Sequence, residues 1–91
     1  MTQKILFFTG ESCAACKAIK PYLDEIEADD IDIIVKPIDA ETQWGLTRHY
    51  GVRALPTLVA VDDAGQWLDA RVGNGSRKEI MDWVAQWRTP A

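Results

Sequence analysis

Residues 9–21 read TGESCAACKAIKP, and the fold turns on where the two cysteines of that stretch, Cys13 and Cys16, fall. Upstream, Lys4 to Phe8 is a short apolar run that stops at Thr9-Gly10, the pattern of a strand buried on both faces. Downstream, Ile19, Leu23 and Ile26 recur at helical spacing with Tyr22 beside them, which predicts a helix from about Cys16 to residues 28–30. The hydrophobic period thus changes from strand to helix at the cysteines. Cys13 lies at the helix start, where unpaired N–H groups and the positive dipole end favour a thiolate. Such a position with C-x-x-C spacing commonly lowers a thiol pKa from ~8.5 to roughly 7 or below. Cys16 follows one turn later on the same helix face, within reach of a mixed disulfide formed on Cys13.

No other cysteine is present, and three further readings of the pair stand beside redox exchange. C-x-x-C is half of many zinc sites, but only His49 adds a nitrogen donor, one ligand short of a four-coordinate site within one chain. An iron–sulfur cluster shared between two copies needs four thiolates from two chains. Inert core thiols explain Cys16 but not a second cysteine at the helix start.

The rest of the chain continues the alternation. Ile31 to about Asp39 reads as a second strand, Glu41 to Tyr50 as a helix closing on Gly51, and Leu55 to Val61 as a third strand. Asp62-Asp63-Ala64-Gly65 is a hairpin turn leading to a fourth strand over Gln66 to Val72. Ser76 with Glu79 three residues on forms a capping box that opens a last helix with Ile80, Trp83, Val84 and Trp87 on its apolar face. The order is βαβαββα. It predicts an α/β fold, a four-stranded mixed sheet with helices on both faces.

Ninety-one residues are enough for one core, so residues 1–91 are expected to form a single domain. Ten basic against fourteen acidic side chains leave a net charge of −4 with no basic cluster, which excludes nucleic acid as an expected partner. The start, MTQKILFFTGES, is too weakly apolar for a signal-peptide core or a membrane span, and a cytoplasmic location is expected. In a reducing cytosol a cysteine pair is read first for catalysis or metal binding, not as a permanent staple.

Two motifs carry a resemblance to a known family. Cys13-Ala14-Ala15-Cys16-Lys17 followed by Pro21 is similar to the thioredoxin active-site helix, which has a kinking proline at that offset. Gly51-Val-Arg-Ala-Leu-Pro-Thr-Leu58 resembles the segment in which thioredoxins carry a cis proline, here Pro56, beside the cysteines. The chain as a whole resembles a short member of the thioredoxin superfamily. That resemblance implies a thioredoxin-like fold and a thiol–disulfide oxidoreductase that reduces protein disulfides, with Cys13 as nucleophile and Cys16 as resolving thiol. It implies a substrate surface of Ser12, Ala14, Ala15, Leu55, Pro56, Thr57 and Gly73, the Leu55 backbone pairing with an extended substrate segment. It implies no bound metal or cofactor, disulfide-containing protein substrates, and a flavin-dependent thioredoxin reductase or glutathione as electron donor. A monomer is the default expectation. A glutaredoxin-like, glutathione-dependent enzyme and a binding subunit with an incidental dithiol are the alternatives.

Departures from the family pattern are also legible. Ser12 stands where thioredoxins usually place a tryptophan, and Phe7 replaces their buried carboxylate six residues before the first cysteine. By that resemblance the family's amino-terminal strand and helix are expected to be missing from this sequence. Among the remaining residues, His49 is read as a solvated or core-edge side chain, Lys17 and Lys20 as a solvated helix face, and Trp67, Trp83 and Trp87 as core or edge packing. Trp44 is expected to be partly exposed.

Overall fold

The computed structural model describes residues 2–88. Strand β1, Gln3–Thr9, runs through the middle of the sheet, pairing in parallel with β2, Ile33–Asp39, and antiparallel with β3, Thr57–Val61. An inner strand has no solvated face, which is why Ile5, Leu6, Phe7 and Phe8 are successively apolar and all buried. Strand β4, Trp67–Val72, closes the order β2-β1-β3-β4 by pairing antiparallel with β3. Pro37, which has no N–H to donate, falls on β2, an edge strand that tolerates it.

Alternate residues of the inner strands feed two cores. Helices α1, Ala14–Asp29, and α3, Arg77–Trp87, cover one face, where Ile19, Leu23, Ile80 and Trp83 meet Ile5, Phe7, Ile33 and Leu58. Full burial of each such side chain contributes roughly 1.5–3 kcal/mol before the entropy of ordering is counted. Asp30–Arg88 and Glu25–Arg77 ion pairs join the two helices at their surfaces. The opposite face, with Leu6, Phe8, Ile38, Val59 and Val61, packs against Tyr50 and Val52 around the short helix α2, Trp44–His49. Helices on both faces of a four-stranded mixed sheet are the expected architecture.

Local signals explain most of the boundaries. Gly51 (φ 66°) closes α2 with two hydrogen bonds, Gly51 N–H to Arg48 O and Val52 N–H to Thr47 O, the pattern of a glycine-terminated helix. Ser76 Oγ accepts from the Glu79 N–H at 3.1 Å while the Glu79 carboxylate accepts from the Ser76 N–H at 2.9 Å, completing the capping box. In the hairpin turn, Asp62 Oδ1 accepts from the N–H groups of Ala64 and Gln66.

Several boundaries differ from the sequence reading; α1 begins at Ala14 rather than about Cys16, directly after its Cys13 cap. Strand β2 begins at Ile33 rather than Ile31, because Asp30 accepts N–H groups from Asp32 and Ile33 and bends the chain there, leaving Ile31 91% exposed. Helix α2 begins at Trp44 rather than Glu41: Asp39 caps the Glu41 N–H through its side chain and the Gln43 N–H through its carbonyl, holding residues 40–42 in a turn. Strand β3 begins at Thr57 rather than Leu55, since the preceding residues form a loop around Pro56. Trp67, on the edge strand beside a register shift, is 60% exposed and lies outside the core that takes Trp83 and Trp87. Trp44 is equally exposed, with the Arg48 guanidinium over its ring.

Candidate active site

Strand pairing brings three loops to one end of the sheet. Phe8, the penultimate residue of β1, pairs with Thr57, the first of β3, and Thr57 in turn pairs with Val72, the last of β4. The loops that follow β1 (residues 10–13), precede β3 (residues 54–56) and follow β4 (residues 73–75) therefore converge. Ligands of open α/β sheets commonly bind beyond such strand ends.

Cys13 is the N-cap of α1. Its backbone is extended, and its Sγ accepts a hydrogen bond from the Cys16 N–H at 3.1 Å. No acidic residue stands in the first turn of α1 to offset the positive end of the helix dipole. Cys13 and Cys16 are joined by a disulfide with their Cα atoms 5.2 Å apart. They differ in access: Cys13 is half-exposed, whereas Cys16 is 2% exposed and belongs to the core cluster that includes Phe7. Ser12 and Ala14 are exposed beside Cys13, and Ala15 is half-buried.

The Leu55–Pro56 peptide bond is cis. The Leu55 side chain packs against both cores and comes close to Gly10, where an added Cβ would lie 3.1 Å from its Cδ1. Thr57 Oγ1 donates to Ala54 O at 2.6 Å, bracing the loop around Pro56. Gly73 (φ 91°) donates its N–H to Pro56 O at 2.8 Å, so the Leu55, Pro56 and Gly73 backbones form one continuous surface. Among the described residues, Leu55 contributes neither its N–H nor its C=O to a backbone hydrogen bond. Residues 12–16, 55–57 and 73, separate in sequence, thus share one sheet end.

Other candidates fall away from it. His49 sits on α2 across the sheet, edge-on to Tyr50. Lys20 is turned to Asp24 at 3.0 Å, and Lys17 is exposed. No group of three or more His, Cys, Asp and Glu side chains placed to hold a metal occurs among the described residues. No helix among them is long and apolar enough to cross a membrane. Sequence reasoning missed Gly10 and the Arg71–Asn74–Gly75 contacts of the third loop; the only signal was a pair of glycines two residues apart, Gly73 and Gly75.

The fold and this site have known counterparts. The thioredoxin family model matches residues 2–86. Thioredoxin from Rickettsia typhi is 30% identical over 83 residues, 88% of this chain and 76% of that protein. Thioredoxin from Chlamydia caviae is 26% identical over 82 residues, covering 90% and 79%. A point mutant of thioredoxin from Halobacterium salinarum superposes with a TM-score of 0.85 at 25% identity, over 98% of this chain and 77% of that one. A family match across nearly the whole chain, with a bonded cysteine pair at the start of α1, leads to one conclusion: the chain belongs to the thioredoxin family and is a thiol–disulfide oxidoreductase.

Proposed function

We propose that this chain, as a single domain over residues 1–91, reduces disulfides in protein substrates in two steps. In the reduced form the Cys13 thiolate attacks one sulfur of the substrate disulfide. A Cys13–substrate bond forms, the substrate S–S bond breaks, and its second sulfur leaves as a thiolate that takes up a proton. Cys16 then loses its proton and attacks Cys13, giving the Cys13–Cys16 disulfide and the second substrate thiol. Two electrons have passed to the substrate.

The observation that carries this reading is the hydrogen bond from the Cys16 N–H to Cys13 Sγ at the mouth of α1. That donor and the helix dipole both stabilise negative charge on the half-exposed sulfur, while the buried one sits ready for the second step. Leu55, whose backbone groups make no backbone hydrogen bond among the described residues and which has Pro56 cis beside it, supplies an edge to which an extended substrate segment adds as a strand. Ser12, Ala14, Ala15 and Gly73 line the approach, small side chains that leave room for a protein surface, and Thr57 braces Pro56. Regeneration draws electrons from a flavin-dependent reductase or glutathione. The protein acts as a cytoplasmic monomer.

Two variants test the scheme. Cys16→Ser is expected to capture protein substrates through a disulfide that dithiothreitol releases, and Cys13→Ser to capture none. Equal capture by both variants, insensitive to dithiothreitol, would overturn it in favour of a binding subunit. The reduction potential separates the two electron donors. A value near ~−270 mV fits the flavin-dependent route, and one near ~−200 mV fits glutathione.

A further inference from the structure

The loop after β4 is held by a side chain outside the site described above. Arg71 pairs with Leu58 in the β3–β4 ladder, two residues before Gly73. Its Nη2 donates to Asn74 O at 3.0 Å. Its guanidinium also occupies the space beside Gly75: a Cβ there would lie 2.1 Å from Nη2 and 3.0 Å from Cζ. Gly75 is not among the glycines with positive φ, so its lack of a side chain answers to Arg71 and not to its own backbone. The Arg71 Nε is buried without a hydrogen-bond partner, unlike that of a solvated surface arginine.

We infer that Arg71 is a positioning residue for the substrate surface: through Asn74 and Gly75 it holds the Gly73 loop against Pro56. Gly73 meets Pro56 by one hydrogen bond, and the chain beyond it has to turn at once into the Ser76 cap of α3. Asn74 Oδ1 accepts from the Gly75 N–H, so the Asn74 side chain is spent within the turn and the Arg71 bond is what ties the turn back to the sheet. Without it, the loop is anchored at Gly73 and Ser76 alone. A protein substrate that pairs with the Leu55–Gly73 surface then has to order that surface on binding. A small aromatic disulfide, which needs only Cys13, does not. The inference rests on the proposed reduction of protein disulfides.

Arg71→Ala is expected to raise KM for a protein disulfide about tenfold, the scale of one lost charge-assisted hydrogen bond, with kcat, turnover of a small aromatic disulfide and the reduction potential unchanged. Arg71→Lys, which keeps one donor, restores part of the loss. Gly75→Ala has the same effect in the wild-type background and none beyond it in the Arg71→Ala background, because the clash partner is gone. Hydrogen exchange at the Gly73 amide is faster in Arg71→Ala. A wild-type KM in Arg71→Ala, an equal loss with both substrates, or additive effects in the double variant overturns the inference. If the wild type itself fails to reduce the protein disulfide, the proposed function is what fails. The Gly73 exchange rate then still decides whether Arg71 holds the loop.

Discussion

Release of substrate from Cys13 is expected to accelerate steeply with pH, because Cys16 has to ionise inside an apolar cluster. Cys16 is 2% exposed and packs in an apolar cluster with Phe7, Ile19, Leu58 and Trp83, and Phe7 stands where thioredoxins place a buried carboxylate. A free thiol ionises near ~8.5, and apolar burial disfavours the anion further. Below its pKa a thiol gains anion by up to about tenfold per pH unit, so the Cys16 thiolate is a minor species at pH 7 that grows steeply toward pH 8.5. The second step should therefore quicken by roughly 15- to 30-fold over that interval. Rapid mixing of the reduced protein with excess chromophoric aromatic disulfide separates the two steps. Attack by Cys13 depends on the disulfide concentration and resolution by Cys16 does not. Cys16→Ser, which stops after the first step, supplies the baseline. A resolution rate that stays flat between pH 7 and 8.5 would refute the reasoning, since some other group would then be taking the Cys16 proton.

Three further outcomes follow from particular contacts. Thr57→Val keeps the shape of a buried side chain but removes its bond to Ala54 O; a stability loss of about 0.5–1.5 kcal/mol in urea unfolding and a higher KM for protein disulfides are expected. Ser76→Ala breaks the capping box and should lower the melting temperature of this small domain by about 4–8 °C, measured by circular dichroism. Acid should destabilise the fold through Glu25, Asp30 and Glu79, held below the ordinary carboxylate range by hydrogen bonds from Arg77, Arg88 and the Ser76 backbone respectively. With their folded values depressed, the native state binds fewer protons than the unfolded chain. Their stabilisation is present above about pH 4–5 and is lost as pH falls through the folded values. The midpoint of acid unfolding should shift to higher pH in Arg88→Met, and an unchanged midpoint would contradict the assignment of Asp30.

Where the chain's signals were local, the sequence was enough. The unbroken apolar run of β1 follows from a strand with no solvated face, and the Ile19-Leu23-Ile26 stripe from one helix surface turned to that sheet. Gly51 and the Ser76–Glu79 pair are read correctly because caps satisfy backbone groups within a few residues. Cys13 and Cys16 were found for the same reason, since helix-start chemistry and one-turn spacing are local. Pro56, Thr57 and Gly73 came instead from resemblance to the family, and no periodicity in the chain marks them.

Tertiary structure decided what depends on pairing across the chain. The side chains of Asp30 and Asp39 moved the starts of β2 and α2, because each accepts the N–H two residues on and holds the chain in a turn before the element can begin. Trp67 is exposed because it opens β4, the edge strand of the sheet, which the sequence alone does not mark as an edge. The meeting of residues 12–16, 55–57 and 73 depends on β1 lying beside β3 and β3 beside β4. So does the role of Arg71, whose partners Asn74 and Gly75 are close in sequence but matter only because Gly73 touches Pro56. Local hydrogen bonding and hydrophobic period wrote the elements and the cysteine chemistry into the chain. The surface proposed to present a substrate to those cysteines exists only once the sheet has brought three loops together.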